Sequence, residues 1–344
     1  MKLKLSKESA SGLNIDNLYS FKGGWDKEKI MLRYDKMKKK YISDLWQLKQ
    51  KGHENFEFVD VAVNDDNLLF IDPCLIERWN NVWAIKAMKH INSYFDNLFK
   101  AYSTCNRKDV RRLLSHAGEQ NANRLGYGNG DNGKGNTADG LLEIFQPLEQ
   151  LISTIRTIGK AEDLPLLIPG FAEDGMSDLL TNILHECLNE FTLEQMHKHG
   201  IQSNGTKMFY TWDISACEWK NIERQVYYVN GKELLLIPKN IVRKRYLFGV
   251  GQYFSRIILE RMIDEGGYRD TDGKAVPKKE IIKSKRYSGE HWKYDESIRY
   301  TVENNDALDE YHRKLPGFYM EHGKALTDEE LDFLIYGYIA AKSA

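Results

Sequence analysis

The pair Asn230-Gly231 is the feature of this sequence that most restricts its fold. Two runs of strand-like composition, residues 225–229 and 233–237, flank the pair. A type I′ turn needs positive φ at both of its central residues, and Asn followed by Gly adopts that geometry most readily. The sequence therefore predicts an antiparallel β-hairpin at about residues 225–237.

A second hairpin is expected at about residues 56–72. The apolar runs 56–62 and 68–72 flank Asn64-Asp65-Asp66-Asn67, four residue types that favour turns. Helical spacing of apolar residues predicts amphipathic helices over 81–104, 138–158, 178–198 and 326–341, with a kink at Pro147. Because strands and helices do not alternate regularly, we predict a helix-rich α+β fold in which two hairpins pack against long helices.

Composition narrows the class of protein. The chain has 344 residues, 49 Lys+Arg against 50 Asp+Glu, 42% hydrophobic residues and only 7 Pro, which excludes collagen-like and disordered chains. The length admits one large domain, or a division into residues 1–105 and 106–344. Four isolated cysteines indicate reduced thiols rather than a disulfide framework. The polar N-terminus and the short apolar runs lead us to expect a cytoplasmic protein without membrane contact.

A glycine-rich loop is the first candidate site. Residues 125–137 contain five Gly and three Asn, a composition that forms loops. The loop reproduces part of the phosphate-binding pattern G-x4-G-K-[ST], but Gly135 stands where the pattern has Ser or Thr, which argues against a P-loop NTPase. The phosphate-loop candidates are Gly128, Gly130, Gly133 and Lys134, which would bind an anion or a nucleic-acid backbone. A plain surface loop is the alternative.

A carboxylate-rich turn is the second candidate site. Glu173, Asp174 and Asp178 lie between the apolar run 164–169 and a predicted helix. Carboxylate oxygens are the ligands that Mg²⁺ prefers, so Asp174 and Asp178 are candidate metal ligands and catalytic residues. The alternative is helix capping, which accounts for Asp178 better than for Asp174.

A basic stretch is the third candidate. Residues 239–286 hold thirteen Lys+Arg against six Asp+Glu, with aromatic residues interleaved. Basic groups neutralise phosphates and aromatic rings stack on bases, so the stretch predicts a nucleic-acid surface. The candidate residues are Lys239, Arg243, Lys244, Arg245, Lys283, Lys285 and Arg286. The alternative is an ordinary charged surface balanced by the acidic residues that follow.

The order of three stretches resembles a known group of proteins. These are residues 69–73, the loop 125–135, and residues 174–178 followed by Asn182-Ile183 and then by residues 235–239. Over about residues 56–245, the chain resembles uncharacterised bacterial proteins associated with mobile-element and phage-defence gene neighbourhoods. That resemblance implies a setting in which nucleases and nucleic-acid sensors work with partner subunits.

The acid and lysine pattern of PD-(D/E)xK nucleases does not fit either expected hairpin. On the first hairpin Cys74 occupies the place of the lysine, and on the second Ile237 occupies the place of the glutamate. The assignment that remains is Asp174 and Asp178 as metal ligands with Lys239 as an electrostatic helper.

Two hypotheses follow for function. The first is a prokaryotic defence protein that acts on or senses nucleic acid, with Mg²⁺-dependent phosphodiester hydrolysis as its activity. The second is a non-catalytic subunit of a multi-protein defence complex, which binds a partner protein or a nucleotide.

Overall fold

The computed structural model describes residues 39–127, 137–284 and 286–337. Over these residues it has an α+β fold, as the sequence predicts, with helices surrounding two small antiparallel sheets. The described residues from Lys40 onward cluster into one compact unit.

The first half of the chain is helical. Its helices are α1 (Ile42–Leu45), α2 (Pro73–Arg78), α3 (Val82–Ser103), α4 (Arg107–Leu114), α5 (Ala138–Ile144), α6 (Leu148–Thr154), α7 (Asp163–Leu167), α8 (Glu173–Ile183) and α9 (His185–Lys198), with a 3₁₀ turn at His53–Asn55. The longest, α3, confirms the helix expected over 81–104. Its buried face, which includes Ile91, Tyr94 and Leu98, packs against α2, α4, α6, α8, α9 and the larger sheet. This helix is therefore central to the hydrophobic core.

Two predicted helices are interrupted. The helix expected over 138–158 is two helices, α5 and α6, because Pro147 cannot donate an amide hydrogen within a helix. The helix expected over 178–198 begins earlier, at Glu173, and changes direction at Leu184, where α8 ends and α9 begins. As a result, Glu173 and Asp174 belong to the first turn of α8 rather than to a loop.

The larger sheet contains the Asn-Gly hairpin. It comprises β2 (Gly205–Asp213), β3 (Glu218–Val229) and β4 (Lys232–Leu234), all antiparallel, after the two-residue strand β1 (Phe70–Ile71). Asn230 and Gly231 have φ of 52° and 76°, which confirms the turn predicted from their sequence. Strand β2, which the sequence did not reveal, pairs with β3 along its whole length.

The prediction of a hairpin at 56–72 is wrong. Strand β1 pairs with β5 (Val242–Arg243), and Val59 donates its amide hydrogen to the carbonyl of Ile237 at 3.0 Å. The side chain of Asn67 closes the turn, because it accepts from the Ala62 amide at 3.0 Å and donates to the Ala62 carbonyl at 3.1 Å. The apolar runs on either side of the turn are therefore free to pair with distant segments rather than with each other.

The C-terminal third completes the helical layer. It contains α10 (Val250–Tyr253), a π-helical turn (Phe254–Ile258), α11 (Leu259–Asp264), α12 (Lys278–Ile281), α13 (Trp292–Glu303), α14 (Asp306–His322) and α15 (Asp328–Tyr336). Helix α15 matches most of the helix expected over 326–341, and it begins with a capping box between Thr327 and Glu330. Among the described residues, no helix is both long and apolar enough to cross a membrane.

Candidate active site: a carboxylate cleft beside helix α8

Helix α8 presents Asp174 and Asp178 to the same cleft. The two residues are four positions apart, so they lie on one face of the helix on successive turns. The cleft has a volume of about 370 Å³ and is open to solvent on one side. Its other walls come from three distant segments: Val63–Asp66, residues between Glu119 and Tyr127, and the turn between β3 and β4.

Hydrogen bonds attach one of these walls, and also strand β1, to α8. Ser177 Oγ accepts from the Ile71 amide at 3.1 Å, and Thr181 Oγ1 accepts from Asn123 Nδ2 at 2.8 Å. At the next residue, Asn182 Nδ2 donates to the carbonyl of Gly118 at 2.6 Å. Strand β1 and the segment 118–127 are therefore attached to the same helix that carries the two carboxylates.

The carboxylates of the cleft lie where ionisation is costly. Burial raises the pKa of Asp178 to about 8, and the nearby charge of Asp174 adds to the effect. Burial also raises the pKa of Asp174, although the backbone N–H of Tyr127 opposes the shift. Among the described residues that line the same cleft, Asp65, Asp66 and Glu119 are also acidic, whereas Arg124 and Lys232 are basic. The cleft is therefore an acidic environment suited to a cation.

Gly126 allows the chain to pass close to Asp174. Its φ is +132°, and a Cβ at this position would lie 2.8 Å from Asp174 Oδ1. The next residue, Tyr127, packs its ring against Phe70 and donates its hydroxyl to Glu173 Oε2 at 3.3 Å. Tyr127 is 61% exposed and forms an aromatic rim to the cleft. The loop candidates Gly128, Gly130, Gly133 and Lys134 follow directly, but they lie outside the described residues.

Lys239 lies apart from the carboxylates. Its ammonium group donates to the His53 carbonyl at 2.7 Å and to Asp328 Oδ1 at 2.6 Å, so it joins the 3₁₀ turn to α15. It does not line the cleft that holds Asp174 and Asp178. The sequence places Lys239 at the end of an extended run, but it does not reveal in which direction the side chain points.

Three of the basic candidates have partners within the described part of the chain. Arg243 donates to the Lys324 carbonyl and its guanidinium lies 5.6 Å from the Tyr319 ring centroid. Lys283 pairs with Glu280 and Arg286 pairs with Glu296. Lys285 lies outside the described residues.

Two basic candidates remain accessible, and one of them lies near the cleft. Lys244 and Arg245 are exposed. Arg245 lies close enough to Tyr127 for its charge to oppose the rise in the pKa of that phenol, which is caused mainly by burial. A cationic group therefore stands near the aromatic rim of the carboxylate cleft.

Several cleft residues had no signal in the sequence. Asp65 and Asp66 fit their role in a turn, and Glu119 and Lys232 belong to no motif. These residues come together at the cleft because segments more than fifty positions apart in the chain contact each other, as in the β-bridge between Asn67 and Leu125. In contrast, Asp174 and Asp178 could be found because they belong to one short run of carboxylates, which needs no contact between distant segments.

The arrangement can bind a cation through a small number of protein ligands. Over the described ranges, no group of three or more His, Cys, Asp or Glu side chains is placed to hold a metal ion. Mg²⁺ typically needs only one or two protein carboxylates, with water and substrate phosphates as its other ligands. Asp174 and Asp178 meet that smaller requirement.

The fold and the cleft together define a helix-rich α+β protein with an acidic cleft on one helix. Residues 47–248 match a family model described as Domain of unknown function (DUF8370), and the chain belongs to this family. No curated protein and no solved structure matches the chain.

Proposed function

We propose that the protein acts on nucleic acid by Mg²⁺-dependent phosphodiester hydrolysis at the carboxylate cleft. One observation carries the proposal: Asp178 is only 8% exposed, and its pKa is raised to about 8 by burial and by Asp174. Placing a carboxyl where its ionised form is disfavoured costs stability, and such perturbed groups concentrate at functional sites. A bound divalent cation would favour the ionised form and offset this cost.

Four residues of the cleft have roles in this proposal. Asp174 and Asp178 would hold the Mg²⁺, which supplies charge stabilisation at the phosphate and an activated water. Arg124 and Lys232, on the facing walls, would attract the phosphate groups that accompany the scissile bond. Lys239 has no catalytic role in this proposal, because its ammonium group pairs with Asp328 on α15.

The setting is part of the same proposal. The resemblance to proteins of phage-defence neighbourhoods supports a prokaryotic, cytoplasmic protein whose target is nucleic acid. The exposed cations Lys244 and Arg245 support contact with a phosphate backbone near the aromatic rim. The basic stretch otherwise gives less support than its composition indicated, because Arg243, Lys283 and Arg286 have local partners.

The experiment compares cleavage by the wild-type chain with cleavage by Asp174→Asn and Asp178→Asn. Single-stranded DNA, duplex DNA and RNA are incubated with Mg²⁺, with Mn²⁺ and with chelator. The matched control is Glu194→Gln, an exposed carboxylate on α9. We expect metal-dependent cleavage that falls by roughly a hundredfold or more in either aspartate variant, since metal ligands contribute several kcal/mol to the transition state. The control should cleave like the wild type.

Two results would contradict the proposal. If both aspartate variants cleave at the wild-type rate, the cleft is not the active site. If the wild-type chain cleaves none of the substrates with either metal, the nuclease assignment is wrong, and the non-catalytic subunit becomes the better hypothesis. Circular dichroism of each variant verifies that the fold is retained.

A further inference from the structure

The polar face of α8 continues beyond the carboxylate cleft. Asn182 lies four residues after Asp178, and His185 opens α9 just past the change of direction at Leu184. Asn182 and His185 line a second cavity of about 280 Å³. Glu119 lines both this cavity and the carboxylate cleft. The two openings are therefore neighbours along one helix face, separated by the segment that carries Glu119.

A flat aromatic surface forms part of the second cavity. The rings of His116 and Tyr210 stack with their centroids 3.5 Å apart and an angle of 12° between their planes. Trp219 supports the His116 ring edge-on at 5.9 Å. Tyr210 is 41% exposed and Met208, on the same side of β2, is 54% exposed. Two large side chains that could pack inside a core instead face solvent together.

Polar groups and a balanced ion pair surround this surface. The Glu233 carboxylate is bonded to His185 Nε2 at 3.0 Å and accepts from Lys207 Nζ at 2.7 Å, so its negative charge is balanced. Lys207 is 35% exposed and lines the cavity. The amide groups of Gln120 and Asn182 also line it, and Gln120 Nε2 donates to Asn182 Oδ1 at 3.4 Å, so this wall of the cavity is polar and ordered.

We propose that the His116 and Tyr210 pair is a base-stacking subsite for single-stranded nucleic acid. An unpaired base would stack on the exposed aromatic surface while a neighbouring phosphodiester occupies the carboxylate cleft. In a duplex both faces of each base are already stacked, so only an unpaired base can use such a surface. This inference rests on the proposed function, since it names the class of substrate that the carboxylate cleft would cleave.

The test measures binding of a short fluorescent oligonucleotide by anisotropy, in chelator to prevent cleavage. Single-stranded DNA and RNA of mixed sequence are compared with the matching duplexes. The variants are Tyr210→Ala, Tyr210→Phe, which keeps the ring, and Phe333→Ala, an exposed aromatic on α15. We expect Tyr210→Ala to weaken single-strand binding roughly tenfold, the scale of one stacked base. The other two variants should bind within about twofold of the wild type.

The outcomes separate this inference from the proposed function. If Tyr210→Ala binds single strands as well as the wild type, or if duplexes bind better than single strands, the subsite is wrong. It is equally wrong if no oligonucleotide binds. Cleavage is then assayed with Mg²⁺ in the wild type and in Tyr210→Ala. If cleavage depends on Asp174 and Asp178 but the KM of Tyr210→Ala equals that of the wild type, the proposed function is supported and the subsite is wrong. If binding depends on Tyr210 but no cleavage occurs, the subsite is supported and the assignment of hydrolase activity is wrong.

Discussion

The carboxyl group of Asp178 couples the stability of the protein to pH. Its pKa in the folded chain is about 8, because burial and the charge of Asp174 disfavour the ionised form, whereas a free Asp titrates near 3.8. The folded state therefore holds this proton more tightly than the unfolded state. Stability is lost as pH rises from about 4 through about 8, where the buried group must ionise.

Replacing Asp178 with Asn should remove that dependence. At pH 9 we expect the melting temperature of Asp178→Asn to exceed that of the wild type by roughly 2–5 °C, since the amide cannot ionise. Near pH 4 the two proteins should melt at similar temperatures. Calorimetric scans between pH 4 and pH 9, without divalent cations, measure the difference.

Asp213 provides a control of opposite sign. Hydrogen bonds from Ser215 and the Ala216 amide lower the pKa of Asp213 to about 2, so its charge is favoured in the folded state. Asp213→Asn should therefore be less stable than the wild type at neutral pH. A melting curve of Asp178→Asn that runs parallel to that of the wild type from pH 4 to pH 9 would contradict the role given to Asp178.

At the residue scale, the site was partly visible in the sequence. Asp174 and Asp178 could be named because both belong to one short carboxylate-rich run, although the sequence placed Asp174 before the helix rather than in its first turn. Asp66, Glu119 and Lys232 could not, because they meet at the cleft through contacts between segments far apart in the chain. Lys239 was assigned to the site from its position in the chain, but its side chain reaches Asp328 instead.

At the scale of elements, turn geometry decides whether a hairpin forms. The β3–β4 hairpin needs positive φ at its two central residues, which Asn230 and Gly231 provide. The turn at 64–67 contains comparable residues, yet Asn67 uses its side chain to bond Ala62 and the Arg124 carbonyl at 2.8 Å. Composition predicts that a turn occurs there, but it cannot show that the flanking strands pair elsewhere.

The Asn-Gly turn leads to a prediction about Gly231. Its φ is +76°, and a Cβ added there would meet nothing within 4 Å. The cost of Gly231→Ala should therefore come from backbone strain alone, about 1–2 kcal/mol in the free energy of unfolding. Urea denaturation followed by fluorescence measures this cost.

Gly159→Ala is the matched control for the turn. A Cβ at Gly159 also meets nothing within 4 Å, but Gly159 does not have a positive φ. This variant should be neutral, or more stable by up to about 1 kcal/mol, because alanine restricts the unfolded chain. Equal destabilisation by the two substitutions would show that the positive φ of Gly231 is not the source of the cost.

At the scale of the whole molecule, α15 is held by contacts with residues far from it in the chain. His53 Nδ1 and Asp332 Oδ1 are 2.6 Å apart, and Tyr336 donates to Asp60 Oδ2 at 2.8 Å. Lys239 adds its ion pair with Asp328. His53 Nε2 accepts the Asp60 amide hydrogen at 3.1 Å, so the ring must be neutral, with its proton on Nδ1. The attachment of α15 therefore depends on the protonation state of one buried histidine.

Mild acid should loosen α15. Burial lowers the pKa of His53 below 6.5 despite the opposing effects of Asp332 and Asp60. The stability that the neutral ring provides is full above pH 6.5 and is lost as pH falls from there toward the lower folded pKa. Hydrogen exchange at pH 7.5 and pH 5.5, corrected for the intrinsic rate, should show protection of 328–336 falling at the lower pH. Protection within α3 serves as the internal reference.

A second variant separates the effect of His53 from that of the carboxyls around it. Burial raises the pKa of Asp60, so protonation of Asp60 favours the folded state in acid and acts against His53. In His53→Gln the side chain at position 53 has no titratable group, whereas Asp60, Asp332 and Lys239 remain. We expect this variant to have weaker protection of α15 at pH 7.5, with no further loss at pH 5.5. If α15 of the wild-type protein kept its full protection at pH 5.5, or if His53→Gln lost protection as steeply as the wild type, the buried histidine would not be what links this helix to pH.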